Sequence, residues 1–86
     1  MSQKLDEILE KYPDYTFLKA DGFDEAVIGV EERSMRLVYS TEKCIDILVK
    51  EERMEYEDAL DYFYYNVSGS YVGEQTPIFI DDNFGI

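Results

Sequence analysis

The hydrophobic residues of this 86-residue chain change their spacing three times, and this change limits the fold more than any other feature. Leu5, Ile8 and Leu9 recur at the intervals of a helix, and Pro13 ends that pattern. An alternating pattern typical of strands follows, then a second helical stretch and a final short apolar run. Because a chain of this length builds a single core, we predict one α+β domain over residues 1–86.

Three short strands are predicted between the two helical stretches. Residues 15–19, 26–30 and 35–39 show the period of two that places alternate side chains on opposite faces of a sheet. Asp21-Gly22 is a turn signal between the first two, and the polar tetrad Glu31–Ser34 is typical of a hairpin connection between the second and third. We predict that these strands form an antiparallel meander.

Two apolar stripes with helical spacing lie between residues 41 and 67. They consist of Cys44, Ile45, Leu48 and Val49, and of Tyr56, Ala59, Leu60, Phe63, Tyr64 and Val67. One long helix and a pair of helices both fit this pattern, but a continuous helix would be long for so small a domain, so we expect a break near residues 53–55. The predicted order is α-β-β-β-α-α-β, an antiparallel sheet with helices on one face. Its last strand begins at Pro77 and lies at the sheet edge.

The chain is strongly and unevenly acidic. Twenty Asp and Glu residues oppose eight Lys and Arg residues, which gives a net charge of −12. Residues 54–86 carry seven of the acids and no base. This distribution favours a basic protein as the partner, and it disfavours direct binding to nucleic-acid phosphates or to an anionic membrane.

The residues that are absent exclude several kinds of chemistry. The chain has no histidine, and Cys44 is its single cysteine, so Ser-His and Cys-His pairs, His-ligated metals and thiolate cages are impossible. We predict no enzyme, no cofactor and no metal site, with Cys44 as a buried, inert thiol. One cysteine, no secretory signal and no membrane-length apolar run indicate a cytoplasmic protein.

The second helical stretch also carries the best candidate for a functional surface. Its tyrosines outside the apolar stripe lie beside acids at helical spacing, and tyrosine is enriched in protein interfaces. The predicted interaction face comprises Asp58, Asp61, Tyr62 and Tyr65, with Asp81 and Asp82 as flanking charge. Three alternatives stay open: the tyrosine rings pack against the sheet edge or the last strand, the carboxylates imitate nucleic-acid phosphates, or the acids are only a solvated helix face. An edge strand and exposed rings also allow a homodimer.

The segment Asn66–Phe79 contains two glycines and could form a ligand-binding loop. No phosphate-loop or dinucleotide motif surrounds Gly69 and Gly73, so we assign both glycines a structural role. Gly69 is predicted to follow the helix in the left-handed conformation, and Gly73 to turn the chain before the last strand. Tyr71 and Thr76 are the candidate pocket residues if this segment walls a small-ligand site.

Two stretches resemble a group of small acidic proteins encoded by tailed bacteriophages. They are Asp21–Ser40 and Glu57–Phe79, the second with an Asn-Val-x-Gly-x-Tyr-Val-Gly segment and a Thr-Pro-Ile-Phe strand. The resemblance brings no assigned activity and therefore no functional residue. It implies a context, the host cell cytoplasm, where such proteins often bind a polymerase, a nuclease or a defence factor. The resulting hypothesis is a non-enzymatic phage accessory factor that binds or inhibits a basic host or phage protein. The alternatives are a small-ligand-binding module and a minor virion structural protein.

Overall fold

The computed structural model describes residues 2–69 and 72–82, and it confirms the α+β class. Helix α1 is followed by a loop, a 3₁₀ turn and the strands β1 and β2. Helices α2 and α3, a π-helical turn and strand β3 come next. Their bounds are α1 Gln3–Lys11, 3₁₀ turn Asp24–Ala26, β1 Val27–Glu31, β2 Arg36–Ser40, α2 Thr41–Glu51, α3 Tyr56–Tyr62, π-helical turn Phe63–Val67 and β3 Ile78–Ile80.

Helix α1 begins where its sequence provides a cap. The Ser2 hydroxyl accepts a hydrogen bond from the Leu5 backbone N–H at 3.2 Å, which satisfies one of the free donors of the first turn. Asp6 lies in the same turn, where the helix dipole favours an acid. Leu5 and Ile8 are buried, so α1 packs one side against the core.

The sheet has the strand order β1-β2-β3. β1 and β2 form the predicted antiparallel hairpin, with a bulge between Val27 and Gly29. β3 pairs with β2 in parallel, and Phe79 lies beside Tyr39. The prediction of a purely antiparallel sheet is therefore wrong. The sheet is mixed because the helices between β2 and β3 form a crossover, which returns the chain to the end where β2 begins.

Residues 15–19 do not form the predicted first strand, and the segment is irregular. The rings of Tyr12, Tyr15 and Phe17 pack against one another with centroids 6.1 to 6.4 Å apart. The alternating rings therefore pack against one another within a loop rather than across a pair of strands. The described residues contain one strand fewer than predicted.

The hairpin turn occupies Glu32–Met35, one residue later than predicted. Its geometry is set by the Glu31 carboxylate, which accepts hydrogen bonds from the Ser34 hydroxyl and from the backbone N–H groups of Arg33 and Ser34. These bonds, with that from the Ser34 hydroxyl as the largest contribution, lower the pKa of Glu31 to about 2. The ionised carboxylate therefore stabilises the turn.

The helical region breaks where the sequence predicts. α2 ends at Glu51 and α3 begins at Tyr56. Between them Arg53 has φ 57°, a left-handed conformation that costs a residue other than glycine about 1–2 kcal/mol. The Met54 backbone N–H donates to the Leu48 carbonyl at 3.2 Å, which satisfies an acceptor near the end of α2.

The core lies on the face of the sheet that carries Leu37 and Tyr39, both fully buried. Each of the helices α1, α2 and α3 contributes residues to it. The buried hydrophobic residues are Leu5, Ile8, Phe23, Ala26, Val27, Leu37, Tyr39, Cys44, Ile45, Leu48, Ala59 and Phe63. No helix in the described part of the chain is long and apolar enough to cross a membrane.

Candidate interaction surface

The side of α3 and the π-helical turn that faces the core is apolar. Ala59 and Phe63 have no exposed surface, and Leu60 and Val67 are half-buried against the same core. Their spacing of three or four residues keeps them on one side of the helix. This much of the predicted stripe is confirmed, and it fixes which side of the helix meets solvent.

The helix widens at its end into a π-helical turn. The Ser68 backbone N–H donates to the Phe63 carbonyl, five residues back, at 2.9 Å. Gly69 follows, and a Cβ at this position would lie 2.9 Å from the Tyr64 carbonyl oxygen. The predicted left-handed conformation of Gly69 is wrong, since its φ is not positive. Glycine is favoured here because a side chain would force the backbone to move.

A series of aromatic contacts connects the π-helical turn to the sheet. The Phe79 ring of β3 lies 5.2 Å from the Tyr39 ring and 5.4 Å from the Phe63 ring. Phe63 in turn meets the Tyr64 ring edge-on at 5.1 Å. Such pairs add about 0.5–1.5 kcal/mol each beyond the area that they bury. The helix end is therefore held in a fixed orientation on β3.

The solvent side carries the residues predicted to form an interaction face. Asp58 and Asp61 are exposed, Tyr62 is 43% exposed and Tyr65 is 83% exposed. Their spacing places Asp58, Asp61 and Tyr65 on one side of the helix, with Tyr62 between that side and Ala59. We call Asp58, Asp61, Tyr62 and Tyr65 the acidic tyrosine face.

Two further tyrosines are more exposed than predicted. Tyr56 and Tyr64 were expected in the apolar stripe, but 58% and 55% of their surfaces are exposed. Tyr56 is the first residue of α3 and lies at the helix end. Tyr64 follows the point where the π-helical turn changes the angle between successive residues. Neither tyrosine is therefore part of the buried core.

The predicted flanking acids lie on a different element, after β3. Both Asp81 and Asp82 are exposed. The Asp82 carboxylate accepts a hydrogen bond at 2.7 Å from the buried Ser40 hydroxyl. That hydroxyl also caps α2 by accepting from the Lys43 backbone N–H at 3.1 Å. Asp82 thus connects the end of β3 to the start of α2, a structural contact that its position in the sequence does not reveal.

The side chain of Thr76, a candidate pocket residue, forms hydrogen bonds within a turn. Its hydroxyl accepts from the Val72 backbone N–H at 2.8 Å and donates to the Gly73 carbonyl at 2.6 Å. Gly73 has φ 116°, so its predicted role in turning the chain is confirmed. Tyr71, the other candidate, lies outside the described residues.

A concave site does lie beside this segment. A cleft of about 250 Å³ opens between the loop at residues 19–23 and the end of the helix. Its aromatic walls are Phe23, Tyr62 and Phe79, and Asn66 and Val72 also line it. Thr76 is not among the described residues that line it. Phe23 was missed as a wall residue, because nothing local in the sequence indicates that the loop folds against α3.

A second cleft, of about 230 Å³, lies on the other side of Tyr62. Its apolar walls include Ile47, Leu48 and Met54, and Glu52 lies at its edge. The two clefts share Asp21, Phe23 and Tyr62, so they adjoin each other beside the acidic tyrosine face.

The single thiol and the acidic side chains are the groups to consider for reactivity or metal binding. Cys44 is fully buried as predicted, and burial raises the pKa of its thiol to about 12. Among the described residues, no group of three or more His, Cys, Asp or Glu side chains could hold a metal ion.

No protein-family model, curated protein or solved structure matches this chain. The resemblance of residues 21–40 and 57–79 to small acidic phage proteins therefore stays a prediction.

Proposed function

We propose that this protein is a non-enzymatic binding protein that recognises a basic region of a host or phage protein through the acidic tyrosine face. The observation that supports this most directly is the exposure of Tyr65 and Tyr62 beside Asp58 and Asp61. The helix that carries them is fixed on its other side by the fully buried Ala59 and Phe63, so its backbone needs no ordering when a partner binds.

The tyrosines supply the binding energy in this proposal. Burying one large side chain contributes about 1.5–3 kcal/mol. Tyr65 is 83% exposed, so nearly all of its apolar surface is available to a partner. Tyrosine is also among the residues that dominate the energetics of interfaces.

The carboxylates supply the preference for a basic partner. Because no base occurs in residues 54–86, little within this part of the chain cancels the field of Asp58 and Asp61. Exposed charges mainly accelerate association and exclude wrong partners, and salt screens them. Binding should therefore weaken as the salt concentration rises.

The phage context is a further part of this proposal and rests on the resemblance of residues 21–40 and 57–79. It directs the search for a partner to bacterial cells. Imitation of nucleic acid is a narrower form of the same proposal, in which Asp58 and Asp61 occupy the positions of phosphates. Competition with duplex DNA tests it, because DNA would release a partner that was held by its nucleic-acid site.

The experiment is capture of proteins from a bacterial lysate with three forms of the immobilised chain. The first is the natural sequence and the second carries Asp58→Lys and Asp61→Lys. The third carries Glu7→Lys and Glu10→Lys on α1, which change the net charge equally at exposed positions with the same spacing. We expect only the second form to lose the captured partner. Equal capture by all three forms, or equal loss from both variants, would contradict the proposal.

A further inference from the structure

We propose that the two adjoining clefts beside Tyr62 receive two neighbouring apolar side chains from one basic segment of the partner protein. This inference rests on the proposed function, because it names where the same partner places its anchoring residues. The two clefts together are called the anchor groove, and its residues come from the loop at 19–23, α2, α3 and the segment before β3.

The arrangement of the clefts supports two anchors rather than one. Asp21, Phe23 and Tyr62 line both clefts, so the two hollows share a wall. Phe23 is 7% exposed and forms the base of that wall, whereas Tyr62 is 43% exposed and accessible. Side chains in adjoining clefts would both contact the Tyr62 ring and bury it at the centre of the interface, where the energetically dominant residues cluster.

The size of each cleft suits one side chain. Small-molecule sites usually enclose about 300–1,000 Å³. The clefts measure about 250 and about 230 Å³, so each is smaller than that range and suits a single side chain. The walls are mostly apolar, with rings or aliphatic groups from Phe79, Val72 and Met54, which favours an aromatic or large aliphatic anchor.

The charges around the anchor groove indicate which residues should flank the apolar anchors in the partner segment. Lys19 lies at its edge, but its ammonium pairs with the Asp24 carboxylate at 3.9 Å. Asp21 and Glu52 are exposed at the rim. Tyr62, which lines both clefts, also belongs to the acidic tyrosine face. A segment with Lys or Arg next to its apolar anchors is therefore complementary to this rim.

The walls of the anchor groove are held in place before any partner binds. The Ala20 backbone N–H donates to the Tyr39 hydroxyl at 2.8 Å, which fixes the loop on the core. On the opposite wall, Phe79 packs between Tyr39 and Phe63. A preformed groove lowers the entropy that the protein loses when a partner binds.

The test uses displayed random 12-residue peptides as the probe, selected on the immobilised full chain. Enriched peptides are synthesised, and their affinity is measured by fluorescence polarisation. We expect enriched peptides to combine aromatic or large aliphatic residues with Lys or Arg. Enrichment of peptides without that combination, or no enrichment over a blank surface, would overturn the proposal.

A pair of variants locates the binding. Val72 is 62% exposed in the first cleft, and Leu9 is 40% exposed on α1, so Val72→Arg and Leu9→Arg add the same charge at accessible positions. We expect Val72→Arg to weaken peptide binding at least about tenfold and Leu9→Arg to change it less than about twofold. Equal effects would overturn the proposal. Amide shifts of Ala20 and Phe23 on peptide binding to the natural sequence check the site without any variant, and their absence would also count against it.

The two proposals can fail separately. If Asp58→Lys with Asp61→Lys abolishes capture of the natural partner while Val72→Arg does not, the anchor groove is wrong and the acidic tyrosine face stands. If peptide binding depends on Val72 while capture from the lysate is unaffected by the two charge reversals, the groove stands and the proposed function of the face is wrong.

Discussion

Replacing Gly69 by alanine tests whether a close backbone contact holds the π-helical turn. The added Cβ would lie 2.9 Å from the Tyr64 carbonyl oxygen, closer than Cβ atoms come to other heavy atoms in proteins. The neighbouring atom is backbone, so the turn itself has to move. Overpacking of this kind lowers the free energy of unfolding by about 1–3 kcal/mol. The lower conformational freedom of alanine in the unfolded chain offsets about 0.4–1 kcal/mol of that loss.

We therefore expect Gly69→Ala to lower the free energy of unfolding by about 1–2 kcal/mol. In a domain of this size each kcal/mol lowers Tm by about 4–8 °C. Thermal unfolding followed by circular dichroism measures the shift. Gly29→Ala is the matched control, because its φ is not positive and a Cβ there meets no atom within 4 Å. We expect that variant to be unchanged or slightly more stable, and equal Tm values for the two variants would refute the steric argument.

Three further predictions concern the core and the hairpin. Tyr39→Phe removes the acceptor of the Ala20 N–H and should lower the free energy of unfolding by about 1–3 kcal/mol, measured by urea unfolding; no loss would mean that the loop is held by other contacts. Cys44 should react with a thiol reagent at pH 8 at least about 100-fold more slowly in the native protein than in denaturant, because burial removes both access and the thiolate; equal rates would contradict its burial. The pKa of Glu31 is lowered from 4.5 to about 2, so its contribution to stability is complete above pH 4.5 and is lost as the pH falls towards 2. The stability difference between the natural sequence and Glu31→Gln should shrink over that interval, and a difference that is constant from pH 6 to pH 2 would contradict the assignment.

The elements that local signals define could be predicted from the sequence. The hairpin between β1 and β2 depends on residues close together in the chain, and the break before Tyr56 follows from the length that a continuous helix would have in so small a domain. The direction of β3 could not be predicted so simply, because it depends on the path of the two helices that precede it. The expected strand at residues 15–19 was wrong because rings that pack with near neighbours produce the same alternation as a strand.

The candidate surface was predicted in part. Helical spacing alone places Tyr62 and Tyr65 outside the apolar stripe, but it leaves open whether their rings pack against the sheet. The exposure of Tyr64 does not follow from this spacing, because a π-helical turn at Phe63–Val67 has no signal in the apolar pattern. The clefts were also beyond sequence reasoning, since they depend on how the loop before β1 meets α3. In each case the missing information is a contact between segments far apart in the chain.

The measurement that tests the central claim most directly is photocrosslinking from the acidic tyrosine face. A p-benzoylphenylalanine is placed at Tyr65, 83% exposed, and in a control chain at Tyr15, 53% exposed on the segment after α1. Both chains are irradiated in bacterial lysate. We predict that position 65 gives a salt-sensitive adduct with a basic protein, that Asp58→Lys with Asp61→Lys removes it, and that position 15 gives none. The same adduct from both positions, or an adduct at 65 that survives the charge reversal, would contradict the account.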